Sequence, residues 1–254
     1  MFVDVLFDPF EGSWSDVRAG ALLAEQAGFD GVWLYDHLAG SVHGASRVLE
    51  CWTTLTAIAA AVPRVSIGPL VLNVANRDPG TLAVMAATLQ EVSGGRLLLG
   101  LGAGGGLDTP YAAEQVALGR AVPGAKVRRR WVEDAVARVR EVWTGAAGGA
   151  TGFLRPHPPP PIIIGGFGPK MAELAGRVGD GMNAPGGGHL GQLIEIARDA
   201  HARSGRDPAD FVVTASSGPR GHQRLAELGV SRVIIYVRPP YADGVAQVHA
   251  ALID

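Results

Sequence analysis

Two stretches of this chain run from apolar side chains straight into bare backbone. Leu97-Leu98-Leu99-Gly100-Leu101 opens into a loop with glycine at 102, 104, 105 and 106, and Ile162-Ile163-Ile164 opens into Gly165-Gly166, with Pro169 placed to begin a helix. Apolar runs this short, with no polar alternation, suit parallel strands covered on both faces. A loop stripped of side chains lets a ligand come close to main-chain N–H groups, which is how phosphates are cradled where a strand gives way to a helix. Two such exits in one chain imply strand ends that share one mouth.

The rest of the chain divides into units of the same kind. Strands are expected at 2–7, 31–35, 65–72, 96–101, 162–164, 181–184, 211–215 and 232–237. Helices are expected at 15–28, 48–61, 79–91, 126–143, 169–178, 190–204, 221–228 and 243–252, several opened by Ser or Pro or closed by Gly. The 254 residues divided among eight units give about 32 each, the size of a strand-loop-helix-loop repeat. Eight of each predict an α/β fold, a closed (βα)8 TIM barrel forming a single domain over 1–254, because an open doubly wound sheet of this length has fewer strands. A barrel works from the residues just after its strands, here Asp8, Asp36, His37, Asn73, Gly102 to Gly106, Gly165, Gly166, Asn183, Ser216 and Arg238.

Composition narrows the partners. A formal net charge of -2 provides no basic field for nucleic acid or an anionic membrane. Cys51 stands alone, so neither a disulfide framework nor a cysteine metal cluster is available within one chain, and a reducing cytosol fits. The N-terminal run carries Asp4 and Asp8 and lacks a basic segment, so it reads as a strand rather than a signal peptide. No apolar run reaches the roughly 18 residues of a membrane helix. The expectation is a soluble, cytoplasmic protein that acts on a small molecule.

The series AEQAGFDGVWLYDHL at 24–38, the stretch 49–106 from LECWTTL to GLGAGGG, and PIIIGGFGPKMAELAGRVGDGMN at 161–183 strongly resemble the luciferase-like monooxygenase family, and most of all its deazaflavin (F420) branch. The resemblance covers about two thirds of the chain in unbroken order. It implies a TIM barrel holding F420, or alternatively FMN, in its C-terminal mouth. Bacterial luciferase has an FMN-phosphate arginine where Ala103 stands, so the small residue favours F420. The F420 branch also has a non-prolyl cis peptide and a bulge behind the cofactor ring; the matching bond is Leu70–Val71, with Gly68–Pro69 as a competing site. Glucose-6-phosphate dehydrogenases of this branch carry an acidic glutamate where Gly105 stands, which argues against sugar-phosphate oxidation. Relatives are commonly homodimers through their second and third helices, which here carry Trp52, Leu55, Ile58, Leu82, Met85 and Leu89, and Thr53 to Ala61 lacks charge.

Within this frame His37 is the candidate catalytic residue, either exchanging a proton with substrate or contacting the deazaflavin, with Asp36 beside it as an orienting group. Leu70, Val71, Asn73, Arg77, Gly102, Ala103, Gly104, Gly105, Gly165, Gly166 and Asn183 are expected to bind the cofactor. Its phosphate is placed between the two glycine loops near Pro169. Arg77 alternatively pairs with Asp78 or Glu91, and the two asparagines alternatively serve their turns. Glu50 reads as a helix cap. Lys126 with Arg128, Arg129 and Arg130 is either a solvated helix face or a contact for the acidic polyglutamate tail of F420. His43, Arg47 and Trp52 are placed on the substrate side without ranking.

Overall fold

The computed structural model describes residues 1–253, the side chain of Arg220 excepted. In chain order the elements are β1 (Phe2–Phe7), α1 (Trp14–Gln26), β2 (Gly31–Leu34), α2 (Cys51–Ala61), β3 (Ser66–Pro69), β4 (Leu72–Asn73), α3 (Pro79–Val92), β5 (Leu99–Gly102), α4 (Ala112–Ala117), α5 (Ala125–Thr144), β6 (Ile162–Gly165), α6 (Pro169–Val178), β7 (Gly181–Pro185), α7 (Leu190–Arg203), β8 (Val212–Ser216), α8 (His222–Glu227), β9 (Arg232–Val237) and α9 (Tyr241–Ile253). Their local causes are ordinary. Ser13 and Asp16 form a capping box at α1, Asp78 caps α3 ahead of Pro79, and α5 stops at Gly145 in the left-handed region. No described helix is long and apolar enough to cross a membrane.

All strand pairings are parallel, in the order β3-β2-β1-β9-β8-β7-β6-β5-β4. The two end segments, β3 and β4, are halves of one strand, expected as the continuous run 65–72 and interrupted at Leu70–Val71. A bridge from Ile67 to Leu97 joins that strand to the approach of β5 and brings the sheet round into a nearly closed barrel. The eight-strand barrel expected from the sequence is therefore present, with its third strand broken. The interruption is the cis Leu70–Val71 peptide; Gly68–Pro69 is not cis, whereas His157–Pro158 and Pro239–Pro240 are. The short helix α4, between the glycine loop and α5, was not among the expected elements.

The main core lies between sheet and helices, where Val5, Phe7, Val32 and Leu34 meet Val17, Leu55, Ile58 and Leu82. The opposite parity of each strand fills the barrel. Leu6, Trp33, Leu70 and Ile234 form the interior plug, with Tyr35, Val71 and Leu98 packed against it. Below it, Arg232 grips Asp4 through Nε and Nη2 at 2.7 Å each, and Trp33 Nε1 donates to the same carboxylate at 2.8 Å. Arg96 closes the base by donating to the carbonyls of Ser93, Val65 and Ala59 at 2.5, 2.6 and 2.9 Å, tying the end of α2 to the start of β3. Alternation along the strands then carries Asp8, Tyr35, His37, Tyr236 and Arg238 to the other rim.

Candidate functional site

His37 follows β2 in the inward register of Trp33 and Tyr35, and its side chain is 16% exposed. Its Nδ1 lies 2.6 Å from Oε1 of Glu114, a residue of α4 that is 4% exposed. The second oxygen of Glu114 accepts the backbone N–H groups of Leu38 and Ala39, the latter at 3.2 Å. Rings crowd the imidazole: Tyr111 at 5.1 Å, Phe10 at 5.3 Å, His43 at 5.6 Å and Tyr35 at 6.2 Å between centroids. Nε2 makes no hydrogen bond among the described residues.

Asp36 has a different position from the one its neighbour suggests. Its buried carboxylate accepts from Arg77 Nη1 and Nη2 at 2.9 Å each, from the Asn73 N–H at 2.9 Å and from Asn76 Nδ2 at 3.0 Å. Arg77 also bonds Glu50, so its partners are Asp36 and Glu50 rather than Asp78, which caps α3, or Glu91. Glu50 caps α2 as expected, accepting from Trp52 and Thr53 at 3.0 and 2.7 Å. Burial pushes the Glu50 carboxyl up, but those N–H groups and the Arg77 charge outweigh it and hold the group below its usual range. For Arg77, burial works against the charge, and the bonds and charges of Asp36 and Glu50 push it further up instead. The cluster clamps three chain segments, after β2, after β4 and at the start of α2.

The floor of the mouth is the bulge itself. The Val71 side chain lies where a Cβ added to Gly102 or Gly165 would meet it, at 2.4 and 2.8 Å, and a Cβ on Gly100 would fall 2.0 Å from the Pro69 carbonyl. Glycine on β5 and β6 thus admits Val71 into the mouth beside Leu70. Asn73 uses Oδ1 for the turn to Ala75, and its amide lies against Gly104, which has φ +65°. Ala103 packs on the core, Gly105 lies against Thr109 and Tyr111, and Gly106 against the Arg128 guanidinium. Arg128 donates to Pro123 O at 2.8 Å and its Nε is unpartnered among the described residues. Gly166 donates to Asn183 O at 3.0 Å, and the Asn183 amide donates to Thr214 Oγ1 at 2.8 Å. A side chain on Gly166 would strike Met171 Cβ at 2.3 Å.

On the far side, Tyr236 donates to Asp8 and lies 6.2 Å from Tyr35, with Arg238 5.5 Å over its ring. Burial, then the Asp8 carboxylate, push the Tyr236 phenol up to about 12. Trp52 is buried in the core, Arg47 and His43 are exposed, and Lys126 and Arg130 are exposed with Arg130 facing Asp134 at 3.7 Å. Glu114, Tyr111, Phe10 and Tyr236 are the site residues that the sequence did not reveal.

The site thus offers a ring-sized floor of Leu70, Val71 and glycine, flanked by one imidazole with a free nitrogen and by exposed backbone N–H groups. The chain is similar to proteins of known activity. An F420-dependent glucose-6-phosphate dehydrogenase of Beutenbergia cavernae is 33% identical over 211 residues, covering 77% of this chain and 61% of that protein. The chain spans about three fifths of the length of such curated relatives. An F420-dependent secondary alcohol dehydrogenase in complex with an F420-acetone adduct superposes over 100% of this chain and 99% of that one, with TM-score 0.84 and 19% identity. The FMN complex of the oxygenating constituent of 3,6-diketocamphane monooxygenase from Pseudomonas putida has TM-score 0.70 and 18% identity over 89% of this chain and 71% of its own. The pattern of the luciferase-like monooxygenases matches residues 6–220, the stretch that holds the bulged strand, the imidazole and both glycine loops, and the chain belongs to that family.

Proposed function

We propose that this chain is an oxidoreductase that binds F420 and moves a hydride between it and a small organic alcohol or carbonyl compound. The observation that carries this reading is the juxtaposition of the Val71 floor with the free nitrogen of His37. The residues fit the cofactor: Ala103, Gly104 and Gly105 have backbone N–H groups that make no hydrogen bond among the described residues and could meet a phosphate, the Asn73 amide faces Gly104, and Arg128 supplies a cation beside Gly106, whereas Gly102 and Gly165 make room for Val71 and the Gly166 N–H is taken by Asn183. When bound, the deazaflavin supplies hydride chemistry at C5. The chain's own part is to seat the ring on Leu70 and Val71, to hold the loops through Asp36 and Arg77, and to exchange the substrate hydroxyl proton at His37 Nε2. The names of the relatives support F420, and Ala103 in place of a phosphate-binding arginine supports it over FMN. Gly105 places no carboxylate at the substrate, which favours a neutral alcohol over a sugar phosphate.

An FMN-dependent monooxygenase fed by a separate reductase is the competing enzyme, favoured by the FMN-bound relative in fold. A third reading is a carrier without turnover. Titration of the purified protein with F420 and with FMN, followed by fluorescence, separates them. Tighter binding of FMN overturns the proposal, and F420 binding without turnover across a panel of alcohols supports the carrier. In the enzyme, His37→Ala is expected to lower turnover by about 10²- to 10⁴-fold with F420 affinity nearly unchanged. A clear loss of affinity instead assigns His37 to cofactor contact.

The same reading holds the chain to be a single-domain cytoplasmic protein that forms a homodimer. Trp52, Leu55, Ile58, Leu82 and Leu89 face inward as core, so support for the dimer comes from the outer faces, where Thr53 and Ala60 of α2 and Thr81, Val84 and Thr88 of α3 are small and uncharged and Glu91 is the exposed charge. Light scattering that gives a mass near 26.3 kDa at micromolar concentration refutes it.

A further inference from the structure

We propose that Glu114 is a positioning residue that decides which nitrogen of His37 carries the proton. The inference rests on the acid-base reading of His37 and adds to it a residue that neither the motif nor the loop sequence marks. A carboxylate only accepts hydrogen bonds, so the 2.6 Å contact between Glu114 Oε1 and His37 Nδ1 requires the proton on Nδ1. Neutral His37 then has its lone pair on Nε2, which accepts no hydrogen bond among the described residues. With F420 bound, this tautomer would take the hydroxyl proton while the carbinol C–H bond gave up its electron pair as hydride to the cofactor and the C–O bond became a carbonyl. The opposite tautomer presents N–H to the hydroxyl and has no acceptor for its proton.

Glu114 is also held in place by the groups it orients. Its other oxygen takes the N–H groups of Leu38 and Ala39, so the carboxylate is aimed at the histidine by the residues that follow the histidine in the chain. The remaining neighbours of the ring supply no competing bond. Tyr35 from β2, Phe10 from the loop after β1, His43 from the loop after β2 and Tyr111 from the segment before α4 contact it as rings, and the Asp36 carboxylate is committed to Arg77, Asn73 and Asn76.

Glu114→Gln isolates the effect, because it keeps the shape and changes the hydrogen-bond code. Two backbone N–H groups claim the single amide oxygen of Gln, which turns its NH2 toward Nδ1 and makes that nitrogen an acceptor. The proton should move to Nε2. Long-range proton–nitrogen correlation spectra of the histidine-labelled protein, recorded without cofactor and assigned against His37→Ala, read the tautomer directly. The expected result is Nδ1–H in the parent and Nε2–H in Glu114→Gln. Nε2–H in the parent overturns the proposal even if the variant does not fold, and so does Nδ1–H retained in a folded variant. With F420 and a panel of secondary alcohols, Glu114→Gln should turn over about 10²- to 10⁴-fold slower at unchanged F420 affinity. Parental turnover in Glu114→Gln alongside a collapse in His37→Ala also overturns it. Failure of the broader reading looks different, since it shows as absent F420 binding while the tautomer result stands.

Discussion

Each end of the barrel holds an aspartate gripped by both arms of an arginine, and the two pairs differ in what surrounds them. At the base, Asp4 and Arg232 sit inside the strand layers with Trp33, and the side chains are 0% and 8% exposed. Arg96 grips carbonyls there, and Asp180 accepts from Arg140 and the Ile162 N–H at 2.7 and 2.9 Å. At the mouth, Asp36 and Arg77 form the same two-pronged pair, with side chains 0% and 11% exposed, but hold loops rather than strands. The base saturates its polar groups to hold the barrel together. The mouth saturates a frame so that its neighbours, His37 Nε2, the Asn73 amide and Arg128 Nε, stay unsaturated.

The sharpest way to break this comparison is to cut both pairs. Arg232→Met leaves a carboxylate stranded inside the barrel and should cost about 3–5 kcal/mol by urea unfolding, while Asp4→Leu combined with Arg232→Met should recover most of it. Arg77→Met should cost less, about 1.5–3 kcal/mol, because Asp36 keeps the Asn73 and Asn76 bonds, and it should also weaken F420 binding by loosening the loop after β4 from Glu50 and the start of α2. If Arg77→Met costs as much stability as Arg232→Met and leaves F420 affinity untouched, the two ends are equivalent and the distinction fails.

Two smaller changes sharpen it. Gly168 caps α6 with an extended φ of −150°, and a Cβ there meets nothing within 4 Å. Gly168→Asp should therefore change stability by a few tenths of a kcal/mol. If the cofactor phosphate lies at this helix start, the added charge should lower F420 affinity on the order of tenfold; unchanged affinity in calorimetric titration moves the phosphate elsewhere. A bulky substitution at Gly166 is a poorer test, because its collision with Met171 would displace α6 as well as block a ligand. The smallest expected effect concerns pH. Glu50 is held below its ordinary 4.5, so it contributes stability above that value that is lost as pH falls through its folded value. Glu50→Gln should unfold at slightly lower urea than the parent at neutral pH, and the gap should close as pH falls from the ordinary carboxylate range through the folded value. A gap that widens in acid has the sign wrong.

The strands, most helices and the glycine mouth were legible because they depend on local pattern: β-branched or leucine runs, Pro at helix starts, Gly at strand ends. The broken third strand was legible through family resemblance alone. Residues joined across the sequence were not. Arg77 was matched to charges nearby in the chain, Asp78 and Glu91, whereas its partners Asp36 and Glu50 come from the ends of neighbouring units. Glu114 gave less signal still. It stands in six helical residues with no capping side chain, and its burial depends on a histidine 77 positions earlier. The apolar residues of α2 and α3 are inner-face core, as any barrel helix requires, so only the lack of charge over 53–61 bears on an interface.

The Glu114 contact has a consequence for how the rim opens. Leu38 and Ala39 donate their amide hydrogens to a side chain of α4, while the amides of β2 only a few residues earlier are held by the strand ladder. Deuterium exchange at Leu38 and Ala39 therefore reports detachment of α4, and exchange in β2 reports opening of the sheet. α4 is further anchored through Gln115, with help from Arg120 just beyond it, to Asn76 at 2.7 and 3.0 Å, so detachment frees its contacts with the loops after β2 and β4 together. Two adjacent peptide groups thus act as an isotopic gauge of how often the rim comes apart while the barrel beneath it stays folded.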